Sequence, residues 1–412
     1  MKTKIPMKPT HFGTQVILLA IAIQFLPLVA RGAAGDSWVK KADMPTPRIG
    51  LSTCVVNGKI YAIGGYREAG ASGMKTVEVY DPVTDSWSRK TDMPTARLML
   101  ASATVDGKIY AIGGDQSFVS NPMRIVEEYD PTTDTWTRKA DMPTARSGLT
   151  AAAVDGKIYV IGGLTTFGAL PLSTVEVYDP VANTWEQKAA MPTRRGLLHL
   201  SVVEGKIFAI GSSAPPSGPW LPTVEMYDPL TDTWSRKANM PTARGASAGG
   251  AAHGRIYVIG GRNSESSLAT VEEYDPLSNK WIKRASMWTT NPASPSRRWN
   301  FSASEVNGRI YAIGGAFEVA APHTGLSLVL EYTPPIIPPV LQMKLAQSVG
   351  QVVLRLEWTS RSDCFDLLQT QNQLLPNGWS DVERISGTGE TLTRDVPATN
   401  PVAFYRVQRE LK

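Results

Sequence analysis

Residues 98–146 carry a pattern of apolar and polar positions that recurs along most of the chain. Two short apolar runs, LASATV and KIYAIG, are joined by Asp106-Gly107, a dipeptide suited to the positive-φ residues of a type I′ hairpin turn. RIVEEYD then alternates as a third strand, PTTD turns the chain, and TWTRKA makes a fourth strand. The pattern predicts a small four-stranded antiparallel sheet. Such a sheet cannot bury both faces alone, so it requires similar sheets stacked on either side.

The copies are easy to find. GKIYAIGG occupies 58–65 and 107–114, and GKIYVIGG occupies 156–163. Aligned on this segment, the markers are Gly64-Gly65, Gly113-Gly114, Gly162-Gly163, Gly211-Ser212, Gly260-Gly261 and Gly314-Gly315. The first four intervals are each 49 residues and the last is 54. A tryptophan runs in step, at Trp38, Trp87, Trp136, Trp185, Trp234 and Trp281, with a tyrosine in each YDP turn from Tyr80 to Tyr274. These rings are the natural filling between stacked sheets.

A period near 50 with a Gly pair and a Trp resembles the kelch repeat, in which each copy is one blade of a β-propeller. The resemblance covers about 36–333 and implies an all-β, six-bladed kelch β-propeller. The last copy has three strands and no fourth, whereas SWVKKADMP near the start is a fourth strand with no first three. The N-terminal strand is therefore expected to complete blade six and close the ring, leaving no open sheet edge.

Both ends differ from the repeats. Residues 1–34 join a positive flank (Lys2, Lys4, Lys8) to the apolar run VILLAIAIQFLPLVA and then to small residues, with cleavage expected after Gly32 or Ala34. This is the pattern of a secretory signal peptide, and the run is short for a membrane-spanning helix. The expectation is a secreted protein, periplasmic or extracellular, with no integral membrane segment after cleavage. Beyond residues 35–333, PPIIPP supplies a stiff proline-rich linker at 334–339. Residues 340–412 alternate in VVLRLEW and AFYRVQREL and read as a small C-terminal β-sandwich, similar to immunoglobulin- or fibronectin-type modules.

Charge and chemistry then narrow the function. The formal net charge is +5. Removing Lys2, Lys4, Lys8 and Arg31 with the signal segment, which holds no acid, leaves 38 basic against 37 acidic residues. That balance gives no global basic field for nucleic acid. Cys54 and Cys364 lie in different parts of the chain and read as small buried hydrophobes rather than a disulfide. The four histidines, His11, His199, His253 and His323, show no metal-ligand spacing, so neither a metal nor a cofactor is expected. Copper oxidases of the galactose oxidase type, which are also propellers, need paired histidines and a Tyr-Cys pair that have no counterpart here. No nucleophile elbow, phosphate loop or paired carboxylates stand out, and no catalytic residue is assigned.

Variation concentrates in the loops joining second to third strands, which share one face of the ring with the fourth-to-first connections. A rigid scaffold with unlike loops on one face suits a binding protein. The connection DMPTAR and its variants place Arg48, Arg97, Arg146, Arg195, Arg244 and Arg298 at the blade mouths. In kelch proteins that bind acidic peptides, arginines at this position contact ligand carboxylates. Alternatively, each Arg pairs with the Asp of its own loop, but that partner exists only as Asp43, Asp92 and Asp141; Ala190, Asn239 and Ser286 replace it elsewhere.

Arg195, Arg244 and Arg298 are therefore the expected ligand contacts, with Arg262 and the loop tryptophans Trp220, Trp288 and Trp299. Flat aromatic faces beside guanidinium donors suit a carbohydrate, a uronate or an acidic peptide or protein segment. The rival reading is a sugar enzyme similar to kelch-type sialic acid mutarotases, drawing acid or base from Glu68, Asp115, Glu265 or Glu318. A purely structural envelope scaffold would take no small ligand.

Overall fold

The computed structural model describes residues 35–117, 122–166, 170–212, 219–288, 296–317 and 323–335, and the backbone of six further strands between 342 and 411. The signal segment and most of the linker lie outside these residues. Residues 35–333 form six four-stranded antiparallel sheets, each one blade. In blade one the strands are Ser52–Val56, Lys59–Ile63, Val77–Asp81 and Ser86–Arg89. The hairpin turns between first and second strands place Asn57, Asp106, Asp155, Glu204, His253 and Asn307 at φ near +50°. His253 thus holds a turn position, as its Gly254 neighbour suggests.

Closure is as the strand count requires. Ser37–Lys40 pairs antiparallel with Val329–Thr333, in the register Trp38 with Tyr332, and completes blade six. Trp38 is 2% exposed, its ring lies 4.9 Å from that of Tyr332, and its Nε1 donates to Ala285 O at 2.9 Å.

The same ties recur around the ring. Trp87, Trp136, Trp185, Trp234 and Trp281 each stack on the tyrosine of their own third strand and donate to a carbonyl of the preceding blade. Beside each sits an Asp or Asn with φ near +50°, such as Asp85, which accepts from the Tyr80 hydroxyl and from Ala42 N–H of the blade before. The repeated Tyr, Trp and Asp are therefore inter-blade fasteners. Valine, isoleucine and alanine of the second and third strands fill the space between blades; one such cluster joins Val306, Ile313 and Val329 of blade six to Leu51, Ile60 and Tyr80 of blade one.

The C-terminal part has two three-stranded antiparallel sheets. One orders Gln342–Ser348, Gln351–Thr359 and Thr391–Pro397; the other orders Ser380–Ser386, Cys364–Gln371 and Phe404–Leu411. Both alternating runs singled out in the sequence are strands.

Candidate functional site

The repeat arginines are not at the surface. Arg48, Arg97, Arg146, Arg195, Arg244 and Arg298 all have 0% exposure. The chain folds each guanidinium back under its loop. Arg48 Nη1 donates to the carbonyls of Ala62, Gly64 and Thr76, and Nη2 pairs with Glu78 Oε2 at 2.7 Å. The other oxygen of Glu78 accepts from Thr46 Oγ1 at 2.7 Å.

Arg195 and Arg244 follow the same plan, with Glu225 at 2.6 Å and Glu272 at 2.7 Å. Burial pushes the Arg48 and Arg195 guanidinium groups down to about 10, against the opposing pull of Glu78 and Glu225. The expectation that Arg195, Arg244 and Arg298 face a ligand is corrected: a guanidinium closed inside a blade with no exposure presents no donor at the mouth. The loop aspartates take other partners. Asp43 pairs with Lys40, Asp92 with Arg89 and Asp141 with Arg138, all exposed. Arg298 is equally buried, and it is the exception in having no glutamate partner among the described residues; its Nη1 donates to Gly314 O and Leu328 O.

Of the three loop tryptophans, Trp288 is half-buried and packs on the core between blades five and six, so it fills space. Trp220 and Trp299 come together on a shared cation. The guanidinium carbon of Arg262 lies 5.1 Å from the centre of the Trp299 ring and 5.9 Å from that of Trp220. Both distances are within the range of cation–π attraction. Short bridges fix the parts: Arg262 pairs with Gly245 and Ser267, and Trp299 with Ala316.

His323 completes the group, its ring edge-on to Trp299 at 5.3 Å and 87°. Its backbone carbonyl accepts from Ala69 N–H, which ties the loop of blade six to that of blade one. Trp299 Nε1 and His323 Nδ1 are buried and have no hydrogen-bond partner among the described residues. A guanidinium over two indole rings can recognise a flat or ring-shaped ligand that carries a carboxylate.

Among the described residues, the acids suggested for a sugar enzyme lie in separate bridges and loops. Glu68 is exposed and bridged through its backbone to Thr324, Glu265 is exposed in its own loop, and Asp115 is buried in a bridge to Leu98. Glu318 lies outside the described residues. His199 is buried in a first strand with Nε2 2.7 Å from Ser201 Oγ, and burial pushes it down to about 4.

One feature of the axis escaped the sequence reading. Gly50, Met99, Gly148, Leu197, Ala246 and Asn300 each stand two residues after a repeat arginine, and all have φ between 48° and 58°. Each donates its N–H to the carbonyl of the one before it, Met99 to Gly50 and so on, until Gly50 donates to Asn300, at 2.8–3.0 Å throughout. The six close a ring of backbone hydrogen bonds around the axis. They line a cavity of about 190 Å³ with first-strand residues that include Ser52, Thr53, Ser102 and His199. The constant Arg-to-ring spacing was the available signal, but leucine and methionine at positive φ conceal it.

Comparison with known proteins agrees with this geometry. The KLHDC2/KLHL20/DRC7 Kelch-repeats domain matches residues 36–163, and the Kelch motif matches 145–192, 194–241 and 243–287. A solved structure described as "Structure of YjhT" superposes with a TM-score of 0.59 at 17% identity, covering 71% of this chain and 99% of that one. That likeness is one of fold. With matches running through successive copies from 36 to 287 and a closed ring of six blades, residues 35–333 form a propeller that carries kelch repeats.

Proposed function

We infer that this protein is a binding module that takes a carboxylate-bearing ligand, a uronate-containing carbohydrate or an acidic peptide segment, on the loop face of blades four to six. The kelch propeller fold is consistent with binding and interaction. The observation that carries the ligand class is the Arg262 guanidinium over the rings of Trp220 and Trp299. Stacking offers a face to a sugar ring or a flat side chain, and the cation selects a carboxylate. The secretory pattern of residues 1–34 supports action outside the cytoplasm, on ligands of the cell surface or the surroundings.

An array holding uronic-acid glycans, their neutral counterparts and acidic peptides tests this reading on the chain lacking residues 1–34. Retention of anionic members and loss of their neutral counterparts is the expected result. Equal retention of neutral and anionic members, or none of either, would remove the ligand class.

A further inference from the structure

Blade six breaks the buried ion-pair pattern. In blades one to five, a third-strand glutamate lies opposite an Ala or Val of the second strand and accepts from both the repeat arginine and a threonine two residues before it. In blade six the residue opposite Ala312 is Leu330. The threonine's place is taken by Ser296, two residues before Arg298.

Leu330 matches glutamate out to the δ position and has no atoms where the two carboxylate oxygens would reach. Ser296 Oγ is buried with no hydrogen-bond partner among the described residues, as is Arg298 Nε. Arg298 Nη2 finds only Met287 Sδ, at 3.6 Å, and the guanidinium lies 5.2 Å from the Phe301 ring centre. No carboxylate among the described residues pairs with Arg298. Those soft contacts compensate a fully buried cation weakly, since a lone charge in a protein interior carries a penalty of several kcal/mol.

We propose that Ser296 and Arg298 form a binding site for a small monovalent anion of the halide class, seated where blades one to five place a glutamate carboxylate. The donor set fits: in blades one to five the hydroxyl and the guanidinium at these positions donate to the two oxygens of one carboxylate, so the repeat brings both donors to the place that carboxylate would occupy. The class follows from enclosure. Ser296 is 4% exposed and Arg298 and Leu330 are 0% exposed, so a site enclosed there would admit a compact ion of single charge rather than an organic acid. Burial alone pushes Arg298 down to about 9, lower than in blades where a glutamate opposes it, and a bound halide would reverse that pull. The site is separate from the Arg262 stack, and its failure would leave the ligand reading untouched.

The test is the Tm of the chain lacking residues 1–34, titrated with sodium bromide against sodium acetate at constant ionic strength. Saturable stabilisation by bromide is expected, rising about 2–4 °C per tenfold once the dissociation constant is exceeded. Leu330→Glu should raise the Tm in bromide-free buffer and abolish the bromide response. Should that variant fail to fold, Leu330→Gln, which can accept from both donors without a charge, should also lose the response. Anomalous scattering from bromide-soaked crystals should give a peak touching Arg298 Nη2 and Ser296 Oγ. No bromide response in the wild type, an unchanged response in the Leu330 variants, or a peak confined to the surface would overturn the proposal.

Discussion

A guanidinium with no exposure is a structural group, and the energetics of this protein turn on such residues. Removing Glu272 leaves Arg244 buried without a counter-charge, so Glu272→Ala should destabilise by about 3–5 kcal/mol in urea denaturation. Asp92→Ala, which removes an exposed pair with Arg89, should cost no more than about 1 kcal/mol. Similar losses in the two variants would mean that the buried pair is not what holds the loop. His199 supplies a pH dependence whose sign is fixed by its environment. Burial lowers its folded value to about 4 from an ordinary 6.5, so the unfolded chain binds the extra proton first as pH falls. Its contribution is complete above pH 6.5 and is lost as pH drops towards 4, by up to about 3 kcal/mol at roughly 1.4 kcal/mol per unit. Denaturation midpoints at pH 7 and 4.5 should diverge for the wild type and converge for His199→Gln.

At the scale of strands and blades, the N-terminal strand is the element whose loss is felt across the whole ring. Deleting residues 36–45 removes Trp38 together with its stack on Tyr332 and its bond to Ala285, and bares the edge of Val329–Thr333. Light scattering should show aggregation or unfolding of the truncated chain; a monomer with unchanged melting would show that closure contributes little. This closure could be read from the sequence because the repeat arithmetic leaves one strand over at the start and one missing at the end. Trp220 and Trp299 were likewise legible as tryptophans outside the repeat position. The placement of the arginines was not. Arg48 and Glu78 meet from thirty residues apart, and the alternation in VEVYD suggests that its glutamate faces water. In the fold that glutamate faces the underside of a loop, where the arginine already lies. The Arg-to-Glu spacing, thirty residues in blades one to four and twenty-eight in blade five, held the signal, whereas the nearby Asp of DMPTAR was a closer and misleading partner.

Taken as a whole molecule, the propeller is nearly six-fold in its fasteners and asymmetric in its loops. Fasteners repeat because each blade must meet the next in the same way, so the repeat positions carry stability and leave specificity to the loops. The aromatic and cationic cluster falls on one side, joining the loops of blades four, five and six and reaching blade one through His323. A ligand should therefore bind off-centre, and binding should be insensitive to exposed charges on other blades. The most direct measurement is calorimetric titration of an oligogalacturonide and an acidic peptide into the wild type and into folded Arg262→Ala and Trp299→Ala variants, at one salt concentration. The account predicts binding of at least one of the two ligands by the wild type. It predicts a loss of about 1.5–3 kcal/mol on removing Arg262, in line with hydrogen bonds to charged groups, and a comparable loss on removing Trp299. Binding that survives both substitutions unchanged, or no binding of either ligand by the wild type, would contradict it.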